Sequence, residues 1–278
     1  MAEFDVKVEE NSERILTMHI RIVHDSSRVH EFLKGKTRYN YIYQFISLSP
    51  AIWDRVVCYG LFDGDQISEI AVINMNYNIP VLLAASFDNK EYSIRLVEEI
   101  KRFLPAKFYT HIDKSTLDEL FSSNSIVDLD EYINMGLCDY DLLHSKQQSK
   151  AVRLGSRDLP AIKELISLSY PEAWLDDELV GVNENFGVYD HKKLISFAGI
   201  HAYSEEYEVA AIAHVTTHPE YRGKGYAEKT VAALAKSLEN KIKYIGLNVK
   251  VSNLQAISCY RKLGFKEFGR FYACEVLQ

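Results

Sequence analysis

The sequence predicts a mixed α/β fold built twice along the chain, and three features carry that reading. A strand, a helix and a second strand follow one another between Val209 and Val251, and a hairpin pattern around Tyr59 recurs around Phe186. The third feature is bulk: 278 residues, 47% hydrophobic with only 6 prolines, supply apolar material for two ordinary domains rather than a disordered chain.

In chain order, the first marked element is Tyr59-Gly60-Leu61-Phe62-Asp63-Gly64-Asp65-Gln66-Ile67, a strand, a polar turn and a strand. It lines up without a gap on Phe186-Gly187-Val188-Tyr189-Asp190-His191-Lys192-Lys193-Leu194, and Ala71 then matches Ala198. Aromatic and aliphatic residues keep the same phase in both, the mark of an internal repeat. Pro80 to Ala85 reads as a further strand, Ser93 to Leu104 as an amphipathic helix and Phe108 to Ile112 as a strand. The turn between strand and helix, Phe87 to Tyr92, has no glycine and carries Asp88 and Glu91, so no phosphate is expected there. His144 to Lys150 is polar throughout and reads as a linker, which gives a first domain over 1–143, a linker over 144–150 and a second domain over 151–278.

In the second half, Leu159 to Leu168 is a short helix, and Tyr170 to Glu178 a loop with a second helix start. The apolar run Val209 to Val215 then leads into Arg222-Gly223-Lys224-Gly225-Tyr226-Ala227. Two glycines in four residues let backbone amides approach a ligand, and the helix start adds unpaired N–H groups and a positive dipole end. Such a turn holds phosphate. It offers no acidic metal ligand, so a pyrophosphate held without magnesium is expected, on a carrier such as coenzyme A. The near match to a P-loop from Gly223 to Thr230 fails because Glu228 stands where the second glycine belongs.

The rest of the crossover follows. Ala227, Val231, Leu234 and Leu238 recur at helical spacing, and Ile245, Leu247, Val249 and Val251 alternate as in a strand. Right-handed winding places the two strands parallel. Asn253 opens a helix bearing Ala256, Ile257, Tyr260 and Leu263, and Gly264 stands at its αL stop.

Thr217-His218-Pro219-Glu220-Tyr221 before the glycine turn, Leu247-Asn248-Val249, and Asn253 with Ala256, Tyr260, Gly264 and Phe265 together resemble the GNAT superfamily of acyl-CoA-dependent N-acyltransferases, from roughly Val152 onward. The resemblance implies two GNAT-like domains, each a mixed, mostly antiparallel sheet flanked by helices, the first degenerate and without the cofactor loop. It implies that the amides of Arg222, Gly223, Lys224, Gly225, Tyr226 and Ala227 cradle the CoA pyrophosphate, and that Val215, Thr216 and Thr217 pair with the pantetheine arm. An amide near Val215 or Thr216 then polarises the thioester carbonyl, Tyr260 protonates the leaving thiolate, and Asn253 touches the cofactor. The implied reaction moves an acetyl group from acetyl-CoA to a primary amine of a small molecule in a ternary complex. A CoA-binding or sensing module without catalysis, or a transferase of a longer acyl group, are the alternatives.

Glu208, just upstream of the glycine-loop strand, is the leading general base, with His214, His201, Glu205 and Glu206 as competitors. Where some superfamily members carry a catalytic glutamate, this chain has Ala211. Trp174, Tyr170 and Tyr203 are expected to wall the acceptor pocket, with Glu172, Asp176 and Asp177 attracting a cationic amine. Structural roles compete for several of these: Asn253 suits a helix N-cap, His214 a strand histidine, and Tyr260 is one of 18 tyrosines, most of them packing residues.

A formal net charge of -7 argues against broad binding to nucleic acid or anionic membranes. No apolar run approaches the roughly 20 residues of a membrane helix, and Met1-Ala2-Glu3-Phe4-Asp5 is too acidic to begin a signal peptide, so a cytoplasmic protein is expected. Cys58, Cys138, Cys259 and Cys274 form no C-x-x-C pair, which points to neither a metal nor a disulfide frame. A covalent route through Cys259 is a minor alternative to direct transfer. Nothing in the sequence fixes an oligomeric state.

Overall fold

The computed structural model describes residues 17–146, 150–171, 175, 177, 180 and 184–278. Met1–Thr37, Tyr43–Tyr132 and Arg270–Gln278 form one compact unit, and Arg38–Ile42 with Ile133–Gly269 form the other. The described elements run β1 (His19–Ile22), α1 (Ser26–Lys34), α2 (Ile42–Ser47), α3 (Pro50–Trp53), β2 (Val56–Asp63), β3 (Gln66–Asn74), β4 (Val81–Leu83), α4 (Lys90–Ile100), β5 (Lys107–Ile112), α5 (Lys114–Leu120) and β6 (Ile126–Leu137). They continue with α6 (Tyr140–Ser145), β7 (Val152–Leu154), α7 (Leu159–Ser169), β8 (Asn185–Asp190), β9 (Lys193–Ser204), β10 (Val209–Thr217), α8 (Tyr226–Leu238), β11 (Tyr244–Lys250), α9 (Leu254–Lys262) and β12 (Phe265–Leu277). Among the described residues no helix is long and apolar enough to cross a membrane.

The first unit orders its strands β1-β2-β3-β4-β5-β12, all antiparallel neighbours except the parallel pair β4/β5. The second orders them β7-β8-β9-β10-β11-β6, with β10/β11 parallel and the pairs from β7 to β10 antiparallel. The repeat read from the sequence is therefore a repeat of topology. It extends to register: both hairpins close on a two-residue turn, between Asp63 and Gln66 and between Asp190 and Lys193, with Gly64 at φ 60° and His191 at φ 52°. Both carry a register shift at the aligned place, Leu61/Phe62 and Val188/Tyr189.

The sixth strand of each unit comes from the other half of the sequence. Tyr272 to Leu277 of β12 pair with Ile112 to Lys107 of β5, while Ile133, Met135 and Leu137 of β6 belong to the core of the second unit beside α8 and α9. The expected break between residues 143 and 151 is corrected accordingly: it marks the edge of neither compact unit, because strand pairing between distant segments leaves no local trace. The expected linker also begins inside α6, whose start Asp139 caps by accepting the Leu142 N–H, and Gln147 to Ser149 lie outside the described residues.

The two units differ at the turn from the fourth strand to the helix. In the first, Asn89 accepts the amides of Glu91 and Tyr92 and starts α4 at Lys90, three residues before the expected Ser93. Ser86 braces that turn, its N–H donating to Asp113, its hydroxyl to Glu69, and its oxygen accepting the Asn89 N–H. This helix start satisfies its own amides.

Glu69 is 3% exposed, and burial, only partly offset by its hydrogen bonds from Ser86 and Ile70 and by nearby Lys36, raises its carboxyl from 4.5 to about 7. A carboxyl whose folded pKa is raised contributes stability that is full below pH 4.5 and is lost as pH rises through 7, at most about 3 kcal/mol. Glu69→Gln is expected to match the wild type at pH 4.5 and to exceed it in urea unfolding free energy at pH 8. Parallel pH profiles for the two proteins would show that Glu69 is not the titrating group.

Candidate functional site

The site of the second unit is built where β10 loses its neighbours. β10 pairs with β11 in parallel only from Val209↔Tyr244 to Ile212↔Leu247. On the other edge, register with β9 runs to Ala213↔Gly199 and resumes at Thr216↔Phe197. His214 and Val215 lie in the gap, and His214 is at φ 54°, a conformation that re-aims its side chain and breaks the ladder. Val215 thus has no rung to β11 and sits in a bulge against β9, which leaves the β11 edge of β10 unpaired there for an extended ligand. Thr216 is back in register and 5% exposed, which narrows the expected pair of oxyanion amides to Val215.

The strand end is then pinned. The Ser196 hydroxyl lies 3.2 Å from the Thr216 carbonyl, 3.1 Å from the Thr217 hydroxyl and 3.4 Å from that of Thr230 on α8, and the His218 N–H donates to Ile195. Ser196 occupies the repeat position of Glu69. Tyr221 donates its hydroxyl to Asp190 at 2.6 Å, and Lys224 reaches the Glu220 carbonyl while lying over the Tyr221 ring.

Beyond Tyr221, Gly223 and Gly225 sit at φ 75° and 76°, and a Cβ at either would meet, apart from its chain neighbours, no atom of the described residues within 4 Å. The amides of Gly223, Lys224 and Gly225 donate to no acceptor among the described residues, and Gly225 has no side chain to cap α8. Tyr226, Ala227 and Glu228 form the first helical turn, whose amides have no intrahelical partner. Five or six N–H groups at a helix start make an anion site suited to a pyrophosphate. Arg222 is corrected from an anion partner to a clasp. Its amide donates to Pro219, and its guanidinium holds the carbonyls of Thr217 at 3.2 Å and Ser169 at 3.1 Å. Glu228 faces Lys146 at 3.1 Å.

Tyr260 projects from α9 into the core cluster, 6% exposed, and its hydroxyl has no hydrogen-bond partner among the described residues. Burial first, then Cys259 and Tyr170, push its pKa above the ordinary phenol range, so it stays protonated at neutral pH. Cys259 beside it is pushed up to about 11 by burial, an inert thiol rather than a nucleophile. Asn253 is the N-cap of α9, accepting the Ala256 N–H at 3.1 Å, and Gly264 closes the helix at φ 93°.

Glu208 is not brought to this place. It is exposed at the turn between β9 and β10, and seven residues of strand put it about 20 Å from Val215. Glu205 and Glu206 share that turn, and Tyr203, whose ring packs on the core of the second unit, donates its hydroxyl to Glu205. The rings of His201 and His214 lie 5.9 Å apart at 83°, and burial, with His201 as the second cause, lowers the His214 pKa to about 4, leaving it neutral. Asp177 pairs with Lys163, Tyr170 is half-buried near Tyr260, and Glu172, Trp174 and Asp176 lie outside the described residues.

These features agree with comparisons to known proteins. Residues 157–265 match the Acetyltransferase (GNAT) family. The match falls within the second half of the chain, on the unit that carries the site. The whole fold recurs in a Drosophila protein, at 14% identity and TM-score 0.70 over 92% of this chain and 98% of that one. An acetyltransferase of the GNAT family from Colwellia psychrerythraea shares it at 14% identity and TM-score 0.56, over 93% and 99%. A tandem GNAT protein from the clavulanic acid biosynthesis pathway does so at 12% identity and TM-score 0.55, over 93% and 98%. No curated protein matches the sequence.

Proposed function

We propose that the protein is an N-acyltransferase that moves an acetyl group from acetyl-CoA to a primary amine of a small molecule, by direct attack in a ternary complex and without a metal. The observation that carries this reading is the meeting, in one unit, of an uncapped, amide-lined helix start with a strand that has left β11 and bulges against β9 at His214 and Val215. The amides of Gly223 to Ala227 hold the pyrophosphate, and the Val215 N–H stabilises charge on the thioester oxygen. The amine reacts as its free base, its ammonium proton having gone to solvent; as the nitrogen bonds to the carbonyl carbon the proton it still carries becomes strongly acidic, so neutral His214 suffices to accept it in place of Glu208. The C–S bond then breaks and the departing thiolate takes the Tyr260 proton. Burial around Tyr260 keeps that proton available at neutral pH. The four cysteines are free thiols, which suits a reducing cytoplasm.

The test is free-thiol release from acetyl-CoA with phenethylamine, spermidine, glucosamine and an alanyl peptide as acceptors, beside calorimetry of CoA. Micromolar CoA binding with thiol release on at least one amine is expected. Binding without release on any of them would identify a CoA-binding module instead. His214→Ala is expected to lower kcat about 30-fold. In the wild type the acidic limb of kcat belongs near pH 4, because His214 must be neutral to act. A limb near pH 6.5 would assign the base elsewhere.

A further inference from the structure

The mouth of the splay also carries a polar pair that the proposed chemistry leaves unused. Asn134 of β6 donates its Nδ2 to the Oδ1 of Asn248 on β11 at 3.0 Å, while its own Oδ1 is buried with no partner among the described residues. Asn134 is 4% exposed. Asn248 is the first residue of β11 past the last rung to β10. Strand alternation puts both asparagines on the face opposite Ile133, Met135, Leu247 and Val249, which pack with α8 and α9. His201 follows Phe197 and Gly199 at the same two-residue period, and His214 meets it there. Further along that face Tyr39 closes the sheet over Gly136, where a Cβ would lie 2.4 Å from its ring, and donates its hydroxyl to Leu137 at 2.7 Å. A buried amide oxygen with no partner is destabilising unless a ligand completes it.

We propose that Asn134, held by Asn248, accepts a hydrogen bond from the acceptor amine's N–H as the nitrogen approaches the thioester. A residue from the first half of the sequence then belongs to the acceptor site of the second unit. This rests on the transferase reading. With one N–H directed to His214 and another to Asn134, the site selects primary over secondary amines.

The experiment uses the best acceptor among the four amines and its N-methyl derivative, on wild type, Asn134→Leu and the double variant Asn134→Leu/Asn248→Leu. The double variant removes both polar groups and keeps the fold, since neither amide is left unpaired. Both variants are expected to raise the amine KM roughly 30-fold, to change kcat less, to leave the CoA Kd within about twofold, and to lose the primary-over-secondary preference. An unchanged amine KM in the folded double variant overturns the assignment while the transferase reading stands. CoA binding with no turnover of any amine by the wild type overturns both.

Discussion

Tyr260→Phe is expected to lower kcat about 100-fold while leaving CoA affinity unchanged. The hydroxyl is the one polar atom α9 sends into a cluster otherwise made of Ile257, Leu263, Phe265 and their neighbours, and it has no partner there among the described residues. Removing it costs the fold little, because no hydrogen bond is broken and the ring remains packed against Phe265 at 6.0 Å. The loss therefore falls on the step in which the thiolate needs a proton. Single-turnover thiol release separates that step from product release, and calorimetry with CoA checks the ground state. Wild-type thiol release by the variant would remove Tyr260 from the mechanism. With a thiol of higher acidity in the leaving group, the deficit should shrink, since a better leaving group needs its acid less.

Gly225→Val is expected to weaken CoA binding at least 100-fold. Valine at φ 76° is strained by roughly 1–2 kcal/mol or more, and its Cβ enters space free of other described residues beyond its chain neighbours, at the turn whose amides are unpaired. The cost to stability is therefore modest, a few degrees in Tm for a chain of this size, while the cost to an anion held by those amides is large. Gly35→Ala is the control, because that glycine is also surrounded by open space but at φ -78°. Equal CoA affinity in Gly225→Val and the control would mean that the turn is a connection only.

The contrast between the two units explains why their sequences could be told apart. Asn89 puts a side-chain acceptor on the amides that Gly225 leaves bare, so the expectation that the first turn binds no phosphate acquires a local cause: capping competes with the ligand for the same donors.

What was legible in the sequence was local. The crossover, the cap at Asn253, the stop at Gly264 and the duplicated hairpin are set by residues within a few positions of one another, and their physics acts over that range. Glu208 misled because proximity in sequence to a strand says nothing about which end of it carries the site. His214 was legible as a histidine but not as a residue at φ 54° in a broken ladder, since that conformation is imposed by unequal pairing on the two edges of β10. The clasp at Arg222 needed Ser169, which is 53 residues away. Asn134 left one trace, a polar residue alternating with Ile133, Met135 and Leu137, but its partner Asn248 is 114 residues distant and only the fold names it.

The pairing of residues 272–277 with β5 has a consequence for biogenesis. On the ribosome, the N-terminal sheet is translated early and then waits with its β5 rim uncovered until the polypeptide through position 277 has cleared the exit tunnel. An uncovered rim of backbone donors and acceptors invites strand addition by other nascent chains, so the interval between synthesis of Ile112 and of Leu277 is when this protein most needs a chaperone.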